Sequence, residues 1–70
     1  MDKELLMYYI LKKKITLSDF VKKIQISKSA FYRKLNKQSE FTRHEIELIA
    51  NVLQLDNEQI VSIFFGGKVS

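Results

Sequence analysis

The sequence predicts an all-α fold of five short helices. Three observations lead there. The 70 residues contain no proline, and the only glycines, Gly66 and Gly67, lie near the end, so strand and hairpin signals are few. Apolar residues recur at three- and four-residue steps, the period of an amphipathic helix. Thr16, Ser27, Thr42 and Asp56 stand just ahead of such runs, and their side-chain oxygens suit the free amides of a first helical turn.

The first helix is expected over about Asp2 to Lys13, with Leu5, Leu6, Tyr9 and Ile10 inward and Tyr8 as partial core. Acids at its start and lysines at its end suit the helix dipole. Thr16 and Asp19 resemble a capping box, in which the hydroxyl satisfies an amide and the acid reaches back. Leu17, Phe20, Val21 and Ile24 then form one apolar stripe of a second helix, about Leu17 to Ile24. Ser27 caps a third, Lys28 to Leu35, with Phe31 and Leu35 as core. Residues 36 to 41, "NKQSEF", read as a polar loop ending in an apolar anchor. Thr42 and Glu45 form a second capping box, and Phe41 is placed to staple onto Ile46. Ile46, Ile49, Ala50 and Leu53 give the fourth helix its buried face. Asp56 and Gln59 begin a fifth helix through about Phe64, and Gly66 ends it. Repeats, internal linkers and low-complexity segments are absent, so residues 1–70 read as a single domain.

Composition narrows the chemistry. The chain is 46% hydrophobic and has no cysteine, so apolar packing alone must hold the core. His44 is the only histidine. Neither a zinc set nor a catalytic triad follows from that inventory, and no enzyme activity, metal or cofactor is expected. The run Leu5 to Leu11 is seven apolar residues long, far from the roughly 18 of a membrane span. Asp2 and Glu4 ahead of it give the wrong charge order for a secretory signal. A soluble, cytoplasmic protein is expected.

Charge distribution says more than the net +4. Residues 12 to 43 hold ten Lys and Arg against Asp19 and Glu40, a net +8, and the two flanks together carry −4. One positive surface between acidic ends suits a phosphate backbone, though a lysine-rich solvated surface has the same composition. Lys12 to Lys14 read as a solvated helix end that can add to salt-dependent attraction.

Helices two and three are joined only by "QI" and a cap. So short a turn makes them cross steeply, as in a helix-turn-helix. Phe20, Ile24, Ile26 and Phe31 would fill the corner.

The stretch "ITLSDFVKKIQISKSAFYRKLNKQSEFTRHEIELIANVLQLDNEQI", residues 15 to 60, resembles the lambda-repressor/Cro superfamily of the xenobiotic-response-element type. The "ISKSAFYRKLNKQSEFT" at 26 to 42 and Ile63-Phe64-Phe65 are similar to small phage-associated regulators with "ISKSTFSRKLNGKSEFT" and a terminal "IFF". The resemblance covers about residues 5 to 65. It implies a five-helix lambda-repressor-like DNA-binding domain whose third helix lies in the major groove.

On that resemblance, Lys28, Ser29 and Arg33, with Tyr32 adjacent, fall where base edges are read. The chemistry agrees: Arg and Lys bond guanine, Ser bonds several edges, and an aromatic edge can touch a thymine methyl. Thr16, Leu17 through its backbone, Ser27, Asn36, Lys37, Gln38, Ser39 and Arg43 fall where phosphates are gripped. Ser27 reads first as a cap. Two adjacent aromatics cannot both face the same side of a helix; the family's IFF ending implies that one or both of Phe64 and Phe65 tuck against helix one, and a phenylalanine left exposed would be a dimer contact.

Four positions depart from the family pattern. Leu17 replaces a hydrogen-bonding glutamine. Val21 replaces a small residue. Gln25 replaces the turn glycine, at roughly 1 kcal/mol if that residue is left-handed. Lys34 replaces an aliphatic, so that Leu35 takes over the packing. The resemblance implies a Cro-type transcriptional repressor from a phage or prophage, acting by promoter occlusion. Its partner would be double-stranded DNA carrying a pseudo-palindromic operator. It would bind as a homodimer, or as a monomer that pairs only on DNA, with no membrane or small-molecule ligand. The rival readings are a DNA-binding antitoxin, a helical protein-interaction module and, weakest, an enzyme.

Overall fold

A computed structural model describes residues 1–66, which form α1 (Lys3–Lys12), α2 (Leu17–Lys23), α3 (Lys28–Leu35), α4 (Arg43–Leu53) and α5 (Asn57–Phe64). Gly67 lies outside the described residues. No strand occurs among the described residues, and no helix there is long and apolar enough to cross a membrane.

Every helix begins on a side-chain oxygen. The carboxylate of Asp2 accepts the Leu5 amide at 3.0 Å, and the Thr16, Ser27 and Thr42 hydroxyls accept the amides of Asp19, Ala30 and Glu45. Asp56 accepts the Gln59 amide at 2.8 Å. The boxes at Thr42/Glu45 and Asp56/Gln59 close in both directions. The box expected at Thr16/Asp19 forms only its hydroxyl half, because aspartate is one methylene too short to reach back as glutamate does.

Every helix is followed by a left-handed residue: Lys14, Gln25, Lys37, Gln54 and Gly66, with φ between 55° and 75°. After α2, the Gln25 amide donates to the Lys22 carbonyl and the Ile26 amide to the Val21 carbonyl, both at 3.2 Å. This paired pattern satisfies two carbonyls that the helix leaves open. The same pattern ends α3 (Lys37 to Lys34, Gln38 to Arg33) and α4 (Gln54 to Asn51, Leu55 to Ala50). The turn between α2 and α3 therefore does require a left-handed residue, and a glutamine occupies it.

Leu6, Ile10, Phe20, Val21, Ile24, Phe31, Leu35, Ile49, Leu53 and Ile63 make one core, with no buried polar side chain among the described residues. Phe20 meets Phe31 edge to face at 5.5 Å, sealing the corner of α2 and α3. The amide of Asp2 donates to the Ile63 carbonyl at 2.6 Å, pinning the start of α1 to the end of α5.

Two sequence expectations shift. Tyr9 is half-buried, but Tyr8 is 54% exposed. Its position is about 200° around the helix from Leu6, so the side chain points away from the stripe that faces the core. The IFF ending divides: Ile63 is buried, Phe64 stands edge-on to Phe41 at 5.8 Å, and Phe65 is 62% exposed. Ile63 and Phe64 stand about 100° apart on α5 and Phe65 is its non-helical C-cap, so the three do not face the same way.

Candidate nucleic-acid interface

Helix α3 has two unlike sides. At about 100° per residue, Lys28, Tyr32, Asn36, Ser29 and Arg33 fall within one arc of about 140°. All five are exposed, while Phe31 and Leu35, outside that arc, are buried. Tyr32 is 46% exposed, and its ring tilts on Phe31 at 6.2 Å. Among the described residues, no carboxylate pairs with Lys28 or Arg33. The open arc therefore presents uncompensated positive charge, a phenol and a hydroxyl together.

Ser27 spends its oxygen on the Ala30 amide, as a cap should, and remains exposed. Thr16 does likewise at α2, while Leu17 beside it is half-buried and apolar. Asn36, Lys37, Gln38 and Ser39 are all exposed on the segment after α3. The paired backbone bonds around Lys37 turn the chain sharply there, directly after α3. Arg43, at the start of α4, lies 3.7 Å from Glu47 with both side chains largely in water. Such a pair is weak and does not commit the guanidinium. His44 is exposed on the same first turn.

One basic residue of the segment behaves differently. The Lys34 side chain is only 12% exposed, and its Nζ lies 3.0 Å from Glu45 Oε1. The ammonium also donates to the Glu40 carbonyl at 3.1 Å and sits 5.8 Å from the centre of the Phe41 ring. Leu35 takes the core position as expected, but Lys34 is more than a tolerated replacement for an aliphatic. The clue was in the sequence: position 34 lies on the Ala30–Phe31 side of the helix, where a cation needs a partner. Burial works against ionisation of Glu45. The Thr42 amide, the Lys34 ammonium and the Thr42 hydroxyl outweigh it and hold the carboxyl below the usual glutamate range.

The lysine run after α1 is likewise partly engaged within the fold. Lys12 sits over the Tyr8 ring at 5.9 Å, and Lys13 Nζ donates to the Gln54 side-chain oxygen. Arrays of three or more metal-ligating side chains are absent among the described residues.

A family model described as Cro/C1-type HTH DNA-binding domain matches residues 6–65. No curated protein and no solved structure matches the chain.

Proposed function

The chain belongs to the Cro/C1-type HTH DNA-binding domain family, whose members bind double-stranded DNA sequence-specifically and regulate transcription, and from that premise we propose that it is a small Cro-type repressor of phage or prophage origin. In this reading α3 enters the major groove. Lys28, Ser29, Tyr32 and Arg33 read base edges. Asn36, Lys37, Gln38, Ser39 and Arg43 grip phosphates, with Ser27, Thr16 and the backbone at Leu17 at the groove's edge. The observation that carries it is the open arc of α3, exposed, basic and without a paired acid among the described residues.

Repression would follow from occlusion of a promoter by two copies on a pseudo-palindrome, with half-sites about 10 base pairs apart. Phe65 is the dimer contact in this reading, supported from behind by Phe64. A mostly exposed phenylalanine beside half-buried Ile46, Leu55 and Ile60 is an apolar patch that a second copy can cover.

Random-site selection followed by titration across a salt series tests the reading. The expected result is an enriched palindromic motif, with affinity falling steeply as salt rises because counterions are released from neutralised phosphates. Binding with no enriched motif would replace it with a sequence-indifferent contact. Absence of DNA binding, with a protein co-purifying instead, would favour an interaction module or an antitoxin.

A further inference from the structure

Among the described residues, Lys34 is the one Lys or Arg whose side chain is not exposed. We propose that it is a positioning residue, a latch that sets the phosphate-gripping segment 36–43 in register with the base-reading face of α3, and that it makes no contact with DNA itself. The inference rests on the DNA-binding reading above.

The latch is built from three contacts of one ammonium. Glu45 Oε1 at 3.0 Å belongs to the first turn of α4, the Glu40 carbonyl at 3.1 Å to the loop, and the Phe41 ring to the loop's apolar anchor. The same Glu45 oxygen accepts the Thr42 amide at 2.9 Å. One carboxylate oxygen thus joins the cap of α4 to the side chain of α3. The intervening residues are held at both ends. The paired backbone bonds of Lys37 and Gln38 fix their start, and the Lys34 side chain fixes their finish.

The packing explains why a latch matters at this place. Helix α2 packs closely on both α3 and α4, whereas α3 and α4 meet each other less closely. Their relative setting, and with it the distance from Arg33 to Arg43, depends in part on what bridges them directly. A largely covered ammonium also requires such partners, since burial without them is costly.

The direction of one charge change separates a latch from a ligand. Removing an acid from a DNA-binding surface relieves repulsion and should strengthen binding. If Glu45 holds the latch, Glu45→Gln should instead weaken it. The glutamine can still accept the Thr42 amide, so the cap survives.

The test compares wild type, Lys34→Met, Lys34→Arg, Glu45→Gln and the double variant Lys34→Met/Glu45→Gln on the selected site, with folding checked by circular dichroism. The expected result is a loss of roughly tenfold for Lys34→Met and for Glu45→Gln, with the double variant no worse, as for residues in one ion-pair network. Lys34→Arg should recover most of the affinity, and the salt slope of Lys34→Met should stay within its wild-type value. If Glu45→Gln binds equally or more tightly and Lys34→Met lowers the slope by about 0.9, one phosphate contact, Lys34 is a DNA ligand and the latch is overturned.

A second measurement needs no DNA. Amide exchange and chemical shifts of residues 36 to 42 should change in Lys34→Met and be restored in Lys34→Arg. Unchanged spectra overturn the latch even if the wild type binds its operator. Changed spectra in a wild type that binds no DNA would overturn the functional reading and leave the latch in place as a structural tie.

Discussion

Arg33 and Lys37 are exposed cations four residues apart, and the proposed complex gives them different work. Arg33 projects from the body of α3, where a planar fork can meet a guanine edge. Lys37 sits in the left-handed turn after it, where the groove wall would lie. Arg33→Ala should cost about 1–3 kcal/mol and relax preference at one base position, whereas Lys37→Ala should weaken all sequences alike and reduce the salt slope by about 1. Competition binding against single-base operator variants distinguishes them. Equal loss on every site for both variants would refute these roles. At the same scale, Glu45 makes stability depend on acid. Its carboxyl is held below the usual glutamate range in the folded protein, by more favourable contacts than burial opposes. A depressed folded-state value stabilises the protein above the ordinary glutamate value, about 4.3, and that contribution is lost as pH falls through the folded value. Urea midpoints measured between neutral pH and pH 3 should therefore fall less steeply in Glu45→Gln than in wild type.

At the scale of elements, helix starts and helix stops differ in how openly the sequence states them. A cap needs an oxygen-bearing side chain and an amide two or three residues later, so Thr16, Ser27, Thr42 and Asp56 could be read directly, whereas Asp2 was counted within the first helix and turns out to cap it. The stops at Lys14, Gln25, Lys37 and Gln54 are left-handed without glycine. Nothing in a lysine or glutamine announces that conformation. Only at Gln25, where the family pattern has a turn glycine, did the sequence point to that conformation. Gln25→Gly should stabilise the domain by up to about 1 kcal/mol, the left-handed penalty less glycine's greater freedom when unfolded. In a domain of this size that raises Tm by about 4–8 °C per kcal/mol. A thermal scan showing no rise, or a fall, would mean that the Gln25 side chain contributes something the turn itself does not need.

The whole molecule is electrically divided. Residues 1–43 hold eleven Lys and Arg against four acids, while residues 44–66 hold four acids and neither Lys nor Arg. Because the basic part contains α2 and α3 and the acidic part most of α4 and α5, a polyanion would be drawn to the first and repelled from the second. That sets the direction of approach before any base is read. Phe65, the exposed phenylalanine beside Ile46, Leu55 and Ile60, is the proposed contact between copies. Phe65→Ser should leave the melting temperature nearly unchanged, since the ring is mostly in water already. It should also weaken self-association in sedimentation and convert cooperative operator binding into two independent events. Unaltered cooperativity would move the dimer surface elsewhere.

The number of helices, their starts, the core stripe and the open arc of α3 were legible in the sequence because each depends on residues within a turn or two of one another. Capping and amphipathic spacing are local physics. What only the tertiary structure decided was the fate of side chains whose surroundings come from distant parts of the chain. Phe64 found Phe41 and Phe65 found none of the core. Tyr8 turned to solvent, and Lys13 reached Gln54 across 41 residues. Lys34 changed meaning most: within "FYRKL" it counts as one more positive charge, and beside Glu40, Phe41 and Glu45 it becomes an internal tie. The reason is that charge and periodicity are written along the chain, whereas burial is a property of what else arrives, and burial determines whether a cation faces water, phosphate or a carboxylate.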